Sequence, residues 1–177
     1  MPTLDPNAST LVLIDFQTRL MPAIDGADAV VANARKLADA ACLLDVPVLY
    51  TEQYAKGLGP TVPELAAPAE AIVSKMAFGA DAAHGFLDRL GCGRAVVLAG
   101  VEAHVCVLQT ALGLIDRSHK VYVVRDAISS RRPESCEAAI RRMERHGAEI
   151  VTTEMVVFEW LGSSEHPRFR EALSLVK

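Results

Sequence analysis

Short apolar runs alternate with stretches of helical period along the whole chain. Residues 10–15 (T-L-V-L-I-D) form an apolar run that ends in a charge. Residues 28–44 place Val31, Ala34, Leu37, Ala38, Ala41 and Leu44 on one stripe, which predicts an amphipathic helix. The next strand is expected at 46–51, around Pro47. The Gly- and Pro-rich stretch 53–68 reads as a loop, and 71–73 as a short strand followed by Ser74 and Lys75. A helix is expected at 81–90 with Asp81 as its cap, then an apolar strand at 94–99. A helix at 104–117, a strand at 120–125 and a helix at 133–146 follow; the last begins at Pro133 and stops at Gly147. A strand at 149–151 and helical segments at 153–161 and 166–176 complete the chain.

Strands that read as unbroken Val/Leu/Ile runs are buried on both faces, as in parallel sheets covered by helices. The expected fold class is therefore α/β: a three-layer α/β/α sandwich around a six-stranded parallel sheet, one domain over residues 1–177. In such sheets ligands bind beyond the carboxyl ends of the strands, where strand order reverses. Polar residues just past predicted strand ends are Asp15, Gln17, Glu52, Gln53, Lys75, Glu102, His104, Cys106, Asp126, Ser129 and Ser130. If the order is 3-2-1-4-5-6, Asp15 and the segment before Cys106 flank one crevice, and Lys75 reaches in from the side.

Composition narrows the classes. Of 177 residues, 51% are apolar and 23% charged, which excludes disorder and permits a sizeable core. The net charge is −4, and the basic residues from Arg125 to Arg145 are interleaved with Glu134, Glu137 and Glu144. That is a solvated helix face, so nucleic acid is not an expected partner. No apolar run approaches the ~20 residues of a membrane span, and the segment before the first strand does not read as a signal peptide. Cysteines at 42, 92, 106 and 136 form no C-x-x-C pair. They are expected as free thiols in a cytoplasmic or organelle-matrix setting.

Cys106 is the residue on which chemistry is expected. It follows the fourth strand at or near a helix start, where a positive dipole end and unpaired N–H groups favour thiolate and can hold an oxyanion. The plain alternative is a small buried apolar residue. Asp15 can take a proton from a thiol, or cap a helix. Lys75 can balance charge, or sit on the surface. Together the three strand ends converge on one rim.

The stretches L-V-L-I-D-F-Q (11–17), S-K-M-A-F-G-A (74–80), A-G-V-E-A-H-V-C-V (99–107), V-R-D-A-I-S-S-R (124–131) and G-A-E-I-V-T-T-E (147–154) resemble the isochorismatase-like cysteine hydrolases. T-E-Q-Y at 51–54, K-G-L-G at 56–59 and F-E-W-L near the end are similar to the isochorismatase domain-containing subgroup. The resemblance implies Cys106 as nucleophile, Asp15 as base and Lys75 as charge stabiliser. It also implies a cis peptide at Val101–Glu102 and an oxyanion hole from the N–H groups of Glu102 and Cys106. Pocket candidates are Phe16, Gln17, Gln53, Tyr54, Phe78 and His104. The D-x-H-x-x-H metal motif of nicotinamidases is absent after strand two, so no metal or other cofactor is expected, and nicotinamide is disfavoured as substrate. Retention of the cysteine favours amide, carbamate or ester cleavage over vinyl-ether cleavage. Alternatives are a nicotinamidase-like amidase, a non-catalytic interaction protein on the hydrolase fold, and a redox role for Cys106. The expected partners are a small-molecule substrate and further copies of the chain, a dimer or higher homo-oligomer to which Phe158, Trp160 and Leu161 could contribute.

Overall fold

In a computed structural model that describes residues 3–177, the chain forms six parallel strands in the order β3-β2-β1-β4-β5-β6. In chain order the elements are β1 (Ser9–Ile14), α1 (Ala27–Leu43), β2 (Val48–Gln53), α2 (Ala55–Leu58), β3 (Ile72–Lys75), α3 (Phe86–Leu90) and β4 (Ala95–Val101). There follow α4 (Leu108–Asp116), β5 (Val121–Ser129), α5 (Pro133–Arg145), β6 (Glu149–Val151), α6 (Thr153–Leu161) and α7 (Phe169–Val176). The alternation of side chains along each strand builds two cores. Leu11, Leu13, Val97, Ala99, Tyr122 and Val124 face one way, toward α1, α6 and α7. Val12, Ile14, Val96, Leu98, Val121 and Val123 face the other, toward α3, α4 and α5. All six residues of β1 are buried. That is why this strand reads as a continuous apolar run.

Four local expectations are corrected. β2 starts at Val48, not at 46, because the Val46 N–H closes α1 by donating to Ala41 O (2.8 Å). The helix expected at 81–90 is only Phe86–Leu90. Gly85, at φ +74°, breaks it, and the Asp81 carboxylate pairs with Arg117 (3.0 Å) instead of capping. The helix expected at 104–117 opens with a π-type turn over Ala103–Val107 before α4. β5 runs on to Ser129 through a bulge, its register jumping from Leu98↔Val123 to Gly100↔Ile128. Trp160 (2% exposed) and Leu161 (5%) are covered by the chain's own core, whereas Phe158 is partly exposed against the Phe169 ring.

β1 and β4 approach closely where they deliver Asp15 and the Cys106 turn. Gly100, at φ +143°, faces Ile14, and an added Cβ would stand 2.3 Å from Ile14 O. Neither that backbone angle nor that contact tolerates a side chain. Gly100→Ala is expected to cost about 3 kcal/mol, read from urea unfolding; a loss near zero would mean that β1 and β4 separate easily.

Candidate active site

Asp15 directly follows β1 and has φ +54°, a left-handed conformation unusual for a side-chain-bearing residue. Its N–H donates to Thr51 O (3.2 Å) and its C=O accepts from Gln17 N (2.7 Å). The sharp turn points a fully buried carboxylate across the strand ends. Oδ1 accepts from Thr51 Oγ1 (2.6 Å) and Oδ2 accepts from Lys75 Nζ (2.7 Å), with both charged side chains 0% exposed. Lys75, at the end of β3, reaches past β2 to do this. Its ammonium also donates to Gln53 Oε1 (2.8 Å) and Phe78 O (3.0 Å), with Ala77 O further off at 3.4 Å. A buried ion pair needs such additional partners, since its own attraction rarely exceeds the cost of removing both charges from water.

Cys106 lies within the π-type turn and is 6% exposed. Its carbonyl accepts from Thr110 Oγ1 (2.7 Å), which in turn accepts from Ala80 N (2.9 Å), tying the turn to the loop after β3. The thiol lies within hydrogen-bonding reach of both Asp15 and Lys75. Burial, and then the Asp15 charge, push the thiol up to about 12, with Lys75 opposing more weakly. Cys106 does lie near a helix start, four residues past the N-cap Glu102, but desolvation outweighs the cation and opposes the expected thiolate. Burial and the Asp15 charge therefore both favour the neutral thiol beside the carboxylate–ammonium pair.

The Val101–Glu102 peptide is cis. Glu102 Oε2 accepts from both the N–H and Nε of Arg131 (3.0 Å each), which anchors the segment between β4 and the Cys106 turn to the end of β5. His104 turns toward β5, its Nδ1 2.9 Å from Ser130 Oγ. It is not among the groups acting on the Cys106 thiol.

The pocket expectations divide. Gln53 belongs to the polar network, bridging Lys75 Nζ and, through Nε2, Met76 O (2.8 Å). Tyr54 and Phe78 stand exposed on the loops after β2 and β3, and Met76, which sequence reasoning did not single out, is the most exposed of the three. Phe16 and Gln17 are both buried. Phe16 is 1% exposed in the α1-side core. The Gln17 amide donates to Gln53 O and Gly59 O and accepts from Gln53 N, so it fixes the loop between β2 and α2. Glu52 and Asp126 also serve structure: Glu52 accepts from Thr61, and Asp126 from Thr153. Thr51, Thr110 and Arg131 were missed. Only Thr51 carried a signal, a hydroxyl inside the run V-L-Y-T-E-Q opposite Ile14. Among the described residues, no group of three or more His, Cys, Asp or Glu is arranged to hold a metal ion.

The isochorismatase domain model matches residues 9–155. Mouse isochorismatase domain-containing protein 2A is 40% identical over 173 residues, covering 97% of this chain and 84% of the mouse protein. A structure described as the MAR1 ribonuclease of Caenorhabditis elegans superposes with a TM-score of 0.94 at 38% identity, covering 98% of this chain and 92% of that one. Two YcaC structures are also similar. The Escherichia coli protein, described as an octameric hydrolase of unknown specificity, has a TM-score of 0.87 at 26% identity, over 98% and 96% of the two chains. The Pseudomonas aeruginosa protein, described with hexane-2,5-diol and covalent acrylamide, has a TM-score of 0.88 at 27% identity, over 98% and 91%. With the matching strand order and the matched domain model, the chain belongs to the isochorismatase domain family.

Proposed function

We propose that the chain is a hydrolase that cleaves a small amide, carbamate or ester through a Cys106 acyl-enzyme. The observation that carries this reading is one buried thiol within reach of a buried carboxylate–ammonium pair. Because the thiol is neutral at rest, proton transfer accompanies attack. Asp15 takes the proton as sulfur bonds to the carbonyl carbon, and the carbonyl electrons move onto oxygen. The backbone N–H groups of Glu102 and Cys106 hold that oxyanion. Collapse breaks the bond to the leaving group, which departs with the proton from Asp15. Water then attacks the thioester, giving a proton to Asp15, and the sulfur leaves and recovers it. Lys75 stays charged throughout and keeps Asp15 an acceptor. Gln53 positions Lys75, while Tyr54 and Phe78 form an apolar lip for the incoming molecule. Self-association is part of the reading, since one similar hydrolase is an octamer.

The test is a panel of small amides and esters with intact-mass detection. A substrate that turns over and leaves its acyl group on Cys106 alone is the expected result. Turnover that survives Cys106→Ala would sink the scheme. A second reading comes from the similar C. elegans protein described as a ribonuclease. Degradation of RNA by the wild-type chain, lost in Cys106→Ala, would favour it.

A further inference from the structure

At the end of the sheet away from Cys106 lies a cavity of about 1120 Å³. It is bordered by the amino end of β4, the turn before β5 and the end of α6. Ala95 opens β4, and Cys106 follows its far end, so a seven-residue strand, roughly 20 Å long, separates the two places.

Trp160 forms part of the wall and is 2% exposed. Among the described residues, its Nε1–H is the buried side-chain polar group without a hydrogen-bond partner. An indole N–H can only donate, so what it lacks is an acceptor. Native structures seldom leave such a group unmet. Of the cavity's own carboxylates, Asp5 accepts from Asn7 N (2.9 Å) and Nδ2 (3.3 Å) at Oδ1, and Glu159 accepts from Leu4 N (2.8 Å) at Oε2. Its cations are less committed. Lys120 is exposed and has no ion pair among the described residues. Arg94 gives Nη1 to Ser9 O (2.8 Å), which leaves further guanidinium donors. Leu4, Leu161 and the indole ring supply apolar wall. An unmet indole donor and two cations with donors to spare therefore border a partly apolar space.

We propose that this cavity is a second ligand site, for a small organic carboxylate with an apolar tail. The carboxylate accepts from Trp160 Nε1–H and faces Lys120 and Arg94, and the tail lies on the leucines. Such a site is independent of the Cys106 chemistry.

Trp160 is the chain's only tryptophan, so intrinsic fluorescence reports this cavity alone. Hexanoate is expected to change Trp160 emission saturably at concentrations up to ~10 mM and to raise Tm by at least ~2 °C at saturation. Both responses should persist in Cys106→Ala, which separates this site from the proposed active site. Lys120→Ala, an exposed substitution, should weaken binding up to ~5-fold, and Trp160→Phe should remove the Tm response. No saturable response in the wild-type chain overturns the proposal, as does a response that Cys106→Ala abolishes. A response that Lys120→Ala and Trp160→Phe both leave unchanged overturns it too.

Discussion

Lys75→Met should abolish turnover and lower stability by about 3–5 kcal/mol. The ammonium and the Asp15 carboxylate meet at 2.7 Å with no side-chain exposure on either. Removing the cation leaves the carboxylate buried, with the Thr51 hydroxyl and the Cys106 thiol beside it but no counter-charge. It also frees Gln53 Oε1 and the carbonyl of Phe78, which the ammonium holds. The loop from Met76 to Phe78 is therefore expected to loosen together with the site. Asp15→Asn/Lys75→Met should be more stable than Lys75→Met, because the double variant no longer buries an unpaired charge. Urea unfolding of the two single variants and the double variant measures the coupling. A loss below about 1 kcal/mol for Lys75→Met, with turnover intact, would mean that the pair is neither structural nor catalytic.

This pair was largely legible in the sequence. Asp15 directly follows the buried apolar residues 11–14 of β1, and a charge in that position is either solvated or paired. The alternation of apolar runs with helical periods carried the parallel sheet, whereas its order 3-2-1-4-5-6 entered as a supposition that matches the observed one. What escaped depends on contacts between distant segments. Nothing in G-A-D-A-A-H-G (79–85) announces that Asp81 will pair with Arg117 instead of capping a helix. The bulge in β5 and the π-type turn at Cys106 are adjustments to neighbouring strands, not propensities of their own residues. Gln17 was a pocket candidate because it is a polar residue just past a predicted strand end. A glutamine beside an irregular loop is equally suited to satisfy that loop's backbone, and the structure uses it so.

The raised Cys106 thiol distinguishes this site from one built on a preformed thiolate, and it gives Cys106→Ala a double signature. Turnover should fall at least ~10³-fold, since no other group replaces the nucleophile. The second effect is on stability against pH. A thiol pushed from 9.0 to about 12 on folding stays protonated in the native state while the unfolded chain ionises. Between these values the folded state binds more protons, so stability from this group is complete below pH 9 and lost as pH rises toward 12. Wild type should therefore lose stability over that range faster than Cys106→Ala, measured by unfolding at a series of pH values. Cys136 and the raised tyrosines are common to both proteins and cancel in the difference. At neutral pH, iodoacetamide should label exposed Cys42 and Cys92 ahead of Cys106. On the proposed mechanism, carbonyl substrates should acylate Cys106 first, because Asp15 takes the proton as the bond to carbon forms. Equal pH slopes for the two proteins would place the sulfur in a more solvated environment than its 6% exposure allows.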